Sequence, residues 1–216
     1  MKSSKTTQEV TPSVIQKTLD WAYDKAVNGV PGLGTAQDLA NDFLKGDKPL
    51  DKKINSLVRW QNTKAATTGF LTGLGGLWAL PVSIPADLAS TLFIQIRMIA
   101  AIAIMNGYDA KDDRVKSLIY VCLVANSVKD AIEQFGIKLG EKFATVAVGK
   151  ISSKALQAIN QKVGYRLFTK FGEKGLINIG KGIPLVGGFI NAGLDVVATS
   201  TIAKVSKKTF TTVQLS

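Results

Sequence analysis

Histidine is absent from the 216-residue chain, and cysteine occurs once, at Cys122. Histidine is the commonest metal ligand and the usual general base near neutral pH, so its absence argues against zinc sites and against Ser-His-Asp or Cys-His catalysis. A single cysteine excludes an internal disulfide and is typical of a reducing compartment. The apolar neighbours of Cys122 indicate a buried small hydrophobe rather than a nucleophile. The sequence thus predicts no metal and no cofactor.

Motifs that commit a chain to a reaction are also missing. The segment Gly73-Leu-Gly-Gly76 lacks the lysine and hydroxyl of a Walker motif and follows no predicted strand. Nothing in the sequence shows that the carboxylates of Asp87 and Asp195 meet or flank a nucleophile. The sequence therefore favours a non-enzymatic protein, with catalysis as the lesser alternative.

Acidic residues are few beside basic ones: 16 Asp and Glu oppose 27 Lys and Arg, which gives a formal net charge of +11. Such a field attracts anionic lipid headgroups, nucleic acid or acidic proteins. Stacking aromatics do not interleave with the cations, so no specific nucleic-acid binding is expected. The mean hydropathy of +0.16 is high for a freely soluble protein, which indicates deep burial of apolar side chains or contact with lipid.

The amino-terminal segment MKSSKTTQEVTPS lacks the apolar stretch and cleavage site of a secretory signal. This predicts a cytoplasmic protein that meets lipid at the inner face of the cell membrane. A chain of this length can bury a core unaided. We expect residues 1–11 to be a flexible tail and residues 12–216 to form a single helical domain.

Capping signals and apolar periodicity predict an all-α fold. Thr11-Pro12 provides an N-cap and a first-turn proline, and Thr35 with Asp38 resembles a capping box. Later helices are predicted after Asp112-Asp113 through Ser117–Val128, from Pro85 to about Asn106, and from Val186 to about Phe210. Strands have little support. We expect a single-domain helical bundle of about 7–9 helices.

The segment Ala65–Ala86 contains no charged residue and reaches the length of a membrane span. Its glycines together with Pro81 and Pro85 would leave backbone groups unpaired in lipid. The pattern favours a buried or re-entrant Gly/Pro-rich apolar hairpin, Gly69–Pro85, over a spanning helix or a surface loop.

Several polar side chains interrupt the apolar helices, where a buried charge is costly unless it is paired. We predict an internal network in which Arg97 bridges Asp87 or Asp195. The alternative is a polar patch that lines a cavity for a ligand headgroup. The candidate residues are Asp87, Gln95, Arg97, Asn126, Asn191 and Asp195.

Cations accumulate between residues 138 and 181, where nine Lys and Arg oppose two Glu. Shorter helices are predicted here, punctuated by glycines such as Gly164. The recurring spacing of four places successive cations on one helical flank. We predict that this flank faces anionic membrane lipid, a solvated surface being the alternative. The candidates, with Trp78 as an interfacial anchor, are Lys138, Lys142, Lys150, Lys154, Lys162, Arg166, Lys170 and Lys174.

A set of short segments resembles the EcsC family in its order along the chain. These segments are Leu19-Asp-Trp-Ala-Tyr23, Asn28-Gly-Val-Pro-Gly-Leu-Gly34, Arg59-Trp-Gln-Asn62, Thr72-Gly-Leu-Gly-Gly76, Leu80-Pro-Val-Ser-Ile-Pro85, Gln95-Ile-Arg97, Gly107-Tyr-Asp109 and Gly182-Ile-Pro-Leu-Val-Gly-Gly188 followed by Asp195. The resemblance implies a bacterial, predominantly helical protein. Because the founding member is encoded beside an ABC transporter linked to secretion, it also implies a membrane transporter or secretion component as a partner. It supplies no active site.

Together these features favour a non-enzymatic protein that associates peripherally with the membrane through cationic and apolar helices. One alternative is a membrane-inserting or pore-forming effector. The other is a carrier of a lipid or small apolar ligand in a cavity between helices.

Overall fold

The computed structural model describes residues 11–30, 32–65, 86–125, 130, 152–171 and 188–212. Within these ranges the chain forms seven helices and no strand, which confirms the all-α prediction. The helices are α1 (Pro12–Asn28), α2 (Ala36–Leu44), α3 (Leu50–Ala65), α4 (Ala86–Met105), α5 (Asp113–Val124), α6 (Ser153–Phe171) and α7 (Gly188–Thr212). The predicted hairpin and most of the predicted tail lie outside the described residues.

The predicted capping signals start the helices as expected. Thr11 Oγ1 accepts a hydrogen bond from the backbone N–H of Val14 at 3.2 Å. Asp38 N–H donates to Thr35 Oγ1 at 2.9 Å, while Thr35 N–H donates to Asp38 Oδ2 at 2.8 Å, so the capping box is complete. These bonds satisfy amide groups that the first turn of a helix leaves without partners.

Helix α5 begins after Asp112, whose side chain accepts a hydrogen bond from the N–H of Arg114 at 2.8 Å. It ends at Val124, whereas the helix predicted from the sequence ends at Val128. The end is set by Ala125, whose extended backbone (ψ 136°) breaks the helical path.

Helix α4 is the centre of the fold, and α1, α2, α3, α5 and α7 all contact it. Among the described residues it contains the one stretch long and apolar enough to cross a membrane, Leu88–Met105, and 83% of this stretch is buried inside the protein. Leu92, Phe93 and Ile96 have almost no exposed surface. Burying such a side chain contributes about 1.5–3 kcal/mol, so packing against five helices accounts for the hydrophobicity of α4.

Helix α6 packs on α1 and α5, and it runs unbroken through Gly164. The prediction that Gly164 interrupts a helix is therefore wrong. A Cβ at this position would lie 2.7 Å from Gln16 Oε1 of α1. The glycine leaves room for the end of the Gln16 side chain, so it does not interrupt the helix but lies at the contact with α1.

Candidate functional site

The residues of the predicted polar network fall partly within the described structure. Gln95 and Arg97 both lie on α4 and are buried, with 7% and 6% of their surface exposed. Their proposed pairing with other polar residues stays a prediction. Asn126 and the side chains of Asp87, Asn191 and Asp195 lie outside the described residues.

Arg97 joins the central helix to the loop before α2. Its Nη2 donates a short hydrogen bond to the backbone carbonyl oxygen of Leu33 and a longer one, 3.4 Å, to that of Thr35. Its Nε is buried and has no hydrogen-bond partner among the described residues. The loop reaches α2 through Gly34, which has a positive φ of 66° that other residues rarely adopt.

The charge of Arg97 is incompletely balanced. Within the part of the chain that the structure describes, no carboxylate forms a salt bridge with it. Burial lowers the pKa of Arg97, and the negative charges of Asp38 and Asp42 partly oppose that shift. An arginine stays protonated even so, because its pKa in water is above about 12. In the described part of the chain, the partners of this buried guanidinium cation are thus carbonyl oxygens.

A cavity of about 410 Å³ opens beside this cation; we call it the Arg97 cavity. Its walls present polar and apolar surface in about equal parts. The rings of Phe43 and Trp60 meet edge to face with their centroids 5.9 Å apart. The lining residues are Gly32, Leu33, Leu39, Asp42, Phe43, Trp60 and Arg97. A pocket that combines aromatic and aliphatic side chains with one buried cation is suited to a small amphipathic molecule.

The predicted membrane-facing cations are described only on α6. Lys154 and Lys162 are exposed there. Arg166 is half-buried, with its Nη1 3.7 Å from Asp130 Oδ1, so part of its charge is neutralised. Outside the described residues lie Trp78, Lys138, Lys142, Lys150, Lys174 and the side chain of Lys170.

A second cluster of cations lies where α3 meets α7, around a cavity of about 540 Å³; we call it the α3–α7 groove. Lys52 and Arg59 come from α3, and Lys204 and Lys207 come from α7. None of the described lining residues is a carboxylate. The lining is Lys52, Asn55, Val58, Arg59, Asn62, Ser200, Ala203, Lys204 and Lys207.

Polar contacts fix the two walls of the groove to each other. Lys207 forms a salt bridge with Asp51 beside the groove and donates to Asn55 Oδ1 at 3.2 Å. The hydrogen bond from Lys207 lowers the pKa of Asp51. Asn62 Nδ2 donates to Ser200 Oγ at 3.1 Å, while Asn62 Oδ1 is buried and accepts no hydrogen bond from a described residue. Asp51 thus offsets one of the groove's cations.

The sequence did not predict this groove. The prediction placed the lipid-binding cations between residues 138 and 181, where basic residues are most frequent. A weaker signal was present: Lys52 and Arg59 are seven residues apart and therefore share a helical face. Lys204 and Lys207 are neighbours on α7 by the same rule. Only the packing of α3 against α7 brings the two pairs together.

Features that would indicate catalysis are not found in the described ranges. Cys122 is fully buried, as predicted, and burial raises the pKa of its thiol to about 12. A thiol with such a pKa is not a nucleophile near neutral pH. No group of three His, Cys, Asp or Glu residues that could hold a metal ion occurs in these ranges.

Among known proteins, the chain is similar to one family. No curated protein and no solved structure matches the chain. The model of the EcsC protein family matches residues 2–212, nearly the full length. This chain therefore belongs to the EcsC protein family.

Proposed function

We propose that this EcsC-family protein binds peripherally to anionic membrane lipid through the α3–α7 groove. The observation that carries the proposal is the charge of the groove. Four cations from two helices surround one cavity, and no carboxylate is among its described lining residues. An anionic headgroup that enters the groove would meet lysine and arginine on the α3 side and lysines on the α7 side.

The strength of the interaction follows from the number of available cations. Lys52, Arg59 and Lys204 form no salt bridge with a described carboxylate, and each of them lies on the exposed side of its helix. A cation near an anionic bilayer contributes about 1 kcal/mol. Three of them would tighten binding about a hundredfold. Added salt would weaken it, because the Debye length is only about 8 Å at physiological ionic strength.

Peripheral binding fits the position of α4. Most of its membrane-length apolar stretch is buried against other helices. Insertion into lipid would require α4 to leave that packing, whereas docking through the groove leaves it in place. For this reason we favour docking over the membrane-inserting or pore-forming alternative.

Vesicle flotation tests the proposal. The purified chain is mixed with vesicles of phosphatidylcholine alone or with about one-third phosphatidylglycerol. We expect binding to the anionic vesicles only, release by about 0.5 M salt, and no leakage of an entrapped dye. Failure to bind anionic vesicles at low salt would contradict the proposal. Dye leakage with salt-resistant binding would instead favour insertion.

Matched variants locate the binding surface. The groove variant replaces Lys52, Arg59 and Lys204 with Gln. The control variant replaces the exposed residues Lys17, Lys154 and Lys162 with Gln and changes the net charge equally. We expect the groove variant to lose about a hundredfold in affinity and the control variant to lose several-fold at most. Equal losses would mean that overall charge, rather than the groove, attracts the vesicles.

A further inference from the structure

The positive charge of the buried Arg97 guanidinium, beside the Arg97 cavity, is not explained by membrane docking. The two acidic side chains of the described residues that act on Arg97, Asp38 and Asp42, both have other partners. Asp38 accepts hydrogen bonds from the N–H and the hydroxyl of Thr35. Asp42 forms a salt bridge with Lys45 at 2.7 Å. Within the described ranges, no carboxylate therefore pairs with the buried charge of Arg97, and an unpaired buried charge is unfavourable.

Its hydrogen bonds are also incomplete. Nε has no partner in the part of the chain that the structure describes, although Arg97 is 94% buried, as its exposed fraction is 6%. The contact from Nη2 to Thr35 is long at 3.4 Å and therefore weak. A carboxylate oxygen beside Nε would supply the missing acceptor and a countercharge at once, in a charge-assisted hydrogen bond.

The other side chains that line the cavity indicate that the rest of the ligand is apolar. Leu33, Leu39, Phe43 and Trp60 offer apolar and aromatic surface around the cavity. A volume of about 410 Å³ is within the range of small-molecule sites, about 300–1,000 Å³. A hydrocarbon chain or ring would displace water from these walls, which is favourable in proportion to the apolar area covered.

We infer that the Arg97 cavity binds a small monocarboxylate with an apolar body, its carboxylate on Arg97 and its apolar part against Phe43 and Trp60. Asp42 lines the same cavity, so its negative charge restricts the ligand to few charges. A phosphate monoester, which carries nearly two negative charges near neutral pH, would be repelled more strongly by Asp42 and would lose more hydration on entering the cavity than a carboxylate. This inference is independent of the membrane proposal, because the α3–α7 groove shares no lining residue with the cavity.

Calorimetric titration of the full chain, without vesicles, tests the inference. The probes are decanoate, decan-1-ol and decyl phosphate, each below its micelle concentration. We expect saturable one-site binding of decanoate, with decanol and decyl phosphate at least about tenfold weaker. Equal binding of decanoate and decanol would mean that Arg97 plays no part and would overturn the inference. So would tighter binding of decyl phosphate.

Two variants tie the binding to this cavity. Asp42→Asn removes a like charge from the wall, and since Asp42 is exposed the fold should be retained. We expect it to bind decanoate about threefold more tightly. Arg97→Lys keeps the charge but loses the planar guanidinium, and we expect at least about tenfold weaker binding. Unchanged affinity in Asp42→Asn would overturn the inference even if Arg97→Lys fails to fold.

Nuclear magnetic resonance locates the decanoate-binding site independently of the titrations. The indole N–H signal of Trp60 is assigned by its loss in Trp60→Phe, and we expect decanoate to shift this signal in the unmodified chain. The groove variant, which lacks Lys52, Arg59 and Lys204, should bind decanoate as the unmodified chain does. Loss of decanoate binding in that variant would place the site in the groove and contradict the inference.

Discussion

Lys207 on α7 forms a salt bridge with Asp51 in the first turn of α3, at the edge of the α3–α7 groove. This contact joins the first-turn carboxylate of one helix to a cation near the end of the last. Because Asp51 neutralises part of the positive charge of Lys207, an anion in the groove is attracted less strongly by this lysine. Asp51 thus lowers the net positive charge of the groove.

Replacing Asp51 with Asn should strengthen binding to anionic vesicles. The change frees the charge of Lys207, and one more available cation corresponds to about a fivefold gain in affinity. The control is Asp113→Asn, because Asp113 is also an exposed first-turn aspartate, on α5, and its loss changes the net charge equally. Flotation with vesicles that contain phosphatidylglycerol measures both. An equal gain in the two variants would show that the position of the charge is unimportant.

Tyr23→Phe should destabilise the fold by about 1–2 kcal/mol. The hydroxyl of Tyr23 on α1 donates to the backbone carbonyl oxygen of Ala110, which precedes α5. Burial raises the pKa of Tyr23, so the hydroxyl remains a donor at all ordinary pH values. Urea unfolding measures the loss. Tyr165→Phe is the control, since Tyr165 is 61% exposed and its substitution should have little effect.

Two glycines should respond to alanine in opposite ways. Gly164→Ala should stabilise the protein by about 0.5 kcal/mol, because alanine is the better helix former and only the flexible end of Gln16 must move. Gly34→Ala should destabilise it by about 1 kcal/mol or more, because its φ of 66° is unfavourable for a residue with a Cβ. Thermal unfolding of both variants checks the signs. Destabilisation by Gly164→Ala would mean that Gln16 is fixed in place.

Stability should fall in acid, and Asp112 should contribute to the loss. The side-chain hydrogen bond from Arg114 lowers the pKa of Asp112 below its unfolded value of about 3.9. Its stabilising contribution is therefore complete above that value and disappears as the pH falls through the lower, folded pKa. Asp112→Asn should be less stable near pH 7 and lose less stability between about pH 5 and pH 2. Urea unfolding across this range, with exposed Asp47→Asn as the control, measures the difference; identical acid profiles for all three proteins would contradict it.

Local signals in the sequence predicted where the helices begin. The N-cap at Thr11 and the capping box of Thr35 and Asp38 depend on neighbours within one turn, so the residue order is enough to specify them. The end of α5 at Val124 was not predicted, because Val124 is followed by Ala125, which has no intrinsic tendency to leave a helix. The passage of α6 through Gly164 was also missed, because the packing of α6 on α1, which places Gln16 beside this glycine, cannot be read from the local sequence.

The sequence by itself determined the all-α class, the basic charge, the family and the burial of Cys122 and Arg97, since composition, periodicity and short motifs carry these properties. Only the tertiary structure decided which groups meet. Arg97 contacts carbonyl oxygens of the loop before α2, and the cations of α3 and α7 surround one groove. Contacts between residues far apart in the chain depend on how the helices pack, and periodicity within one helix holds no information about its neighbours.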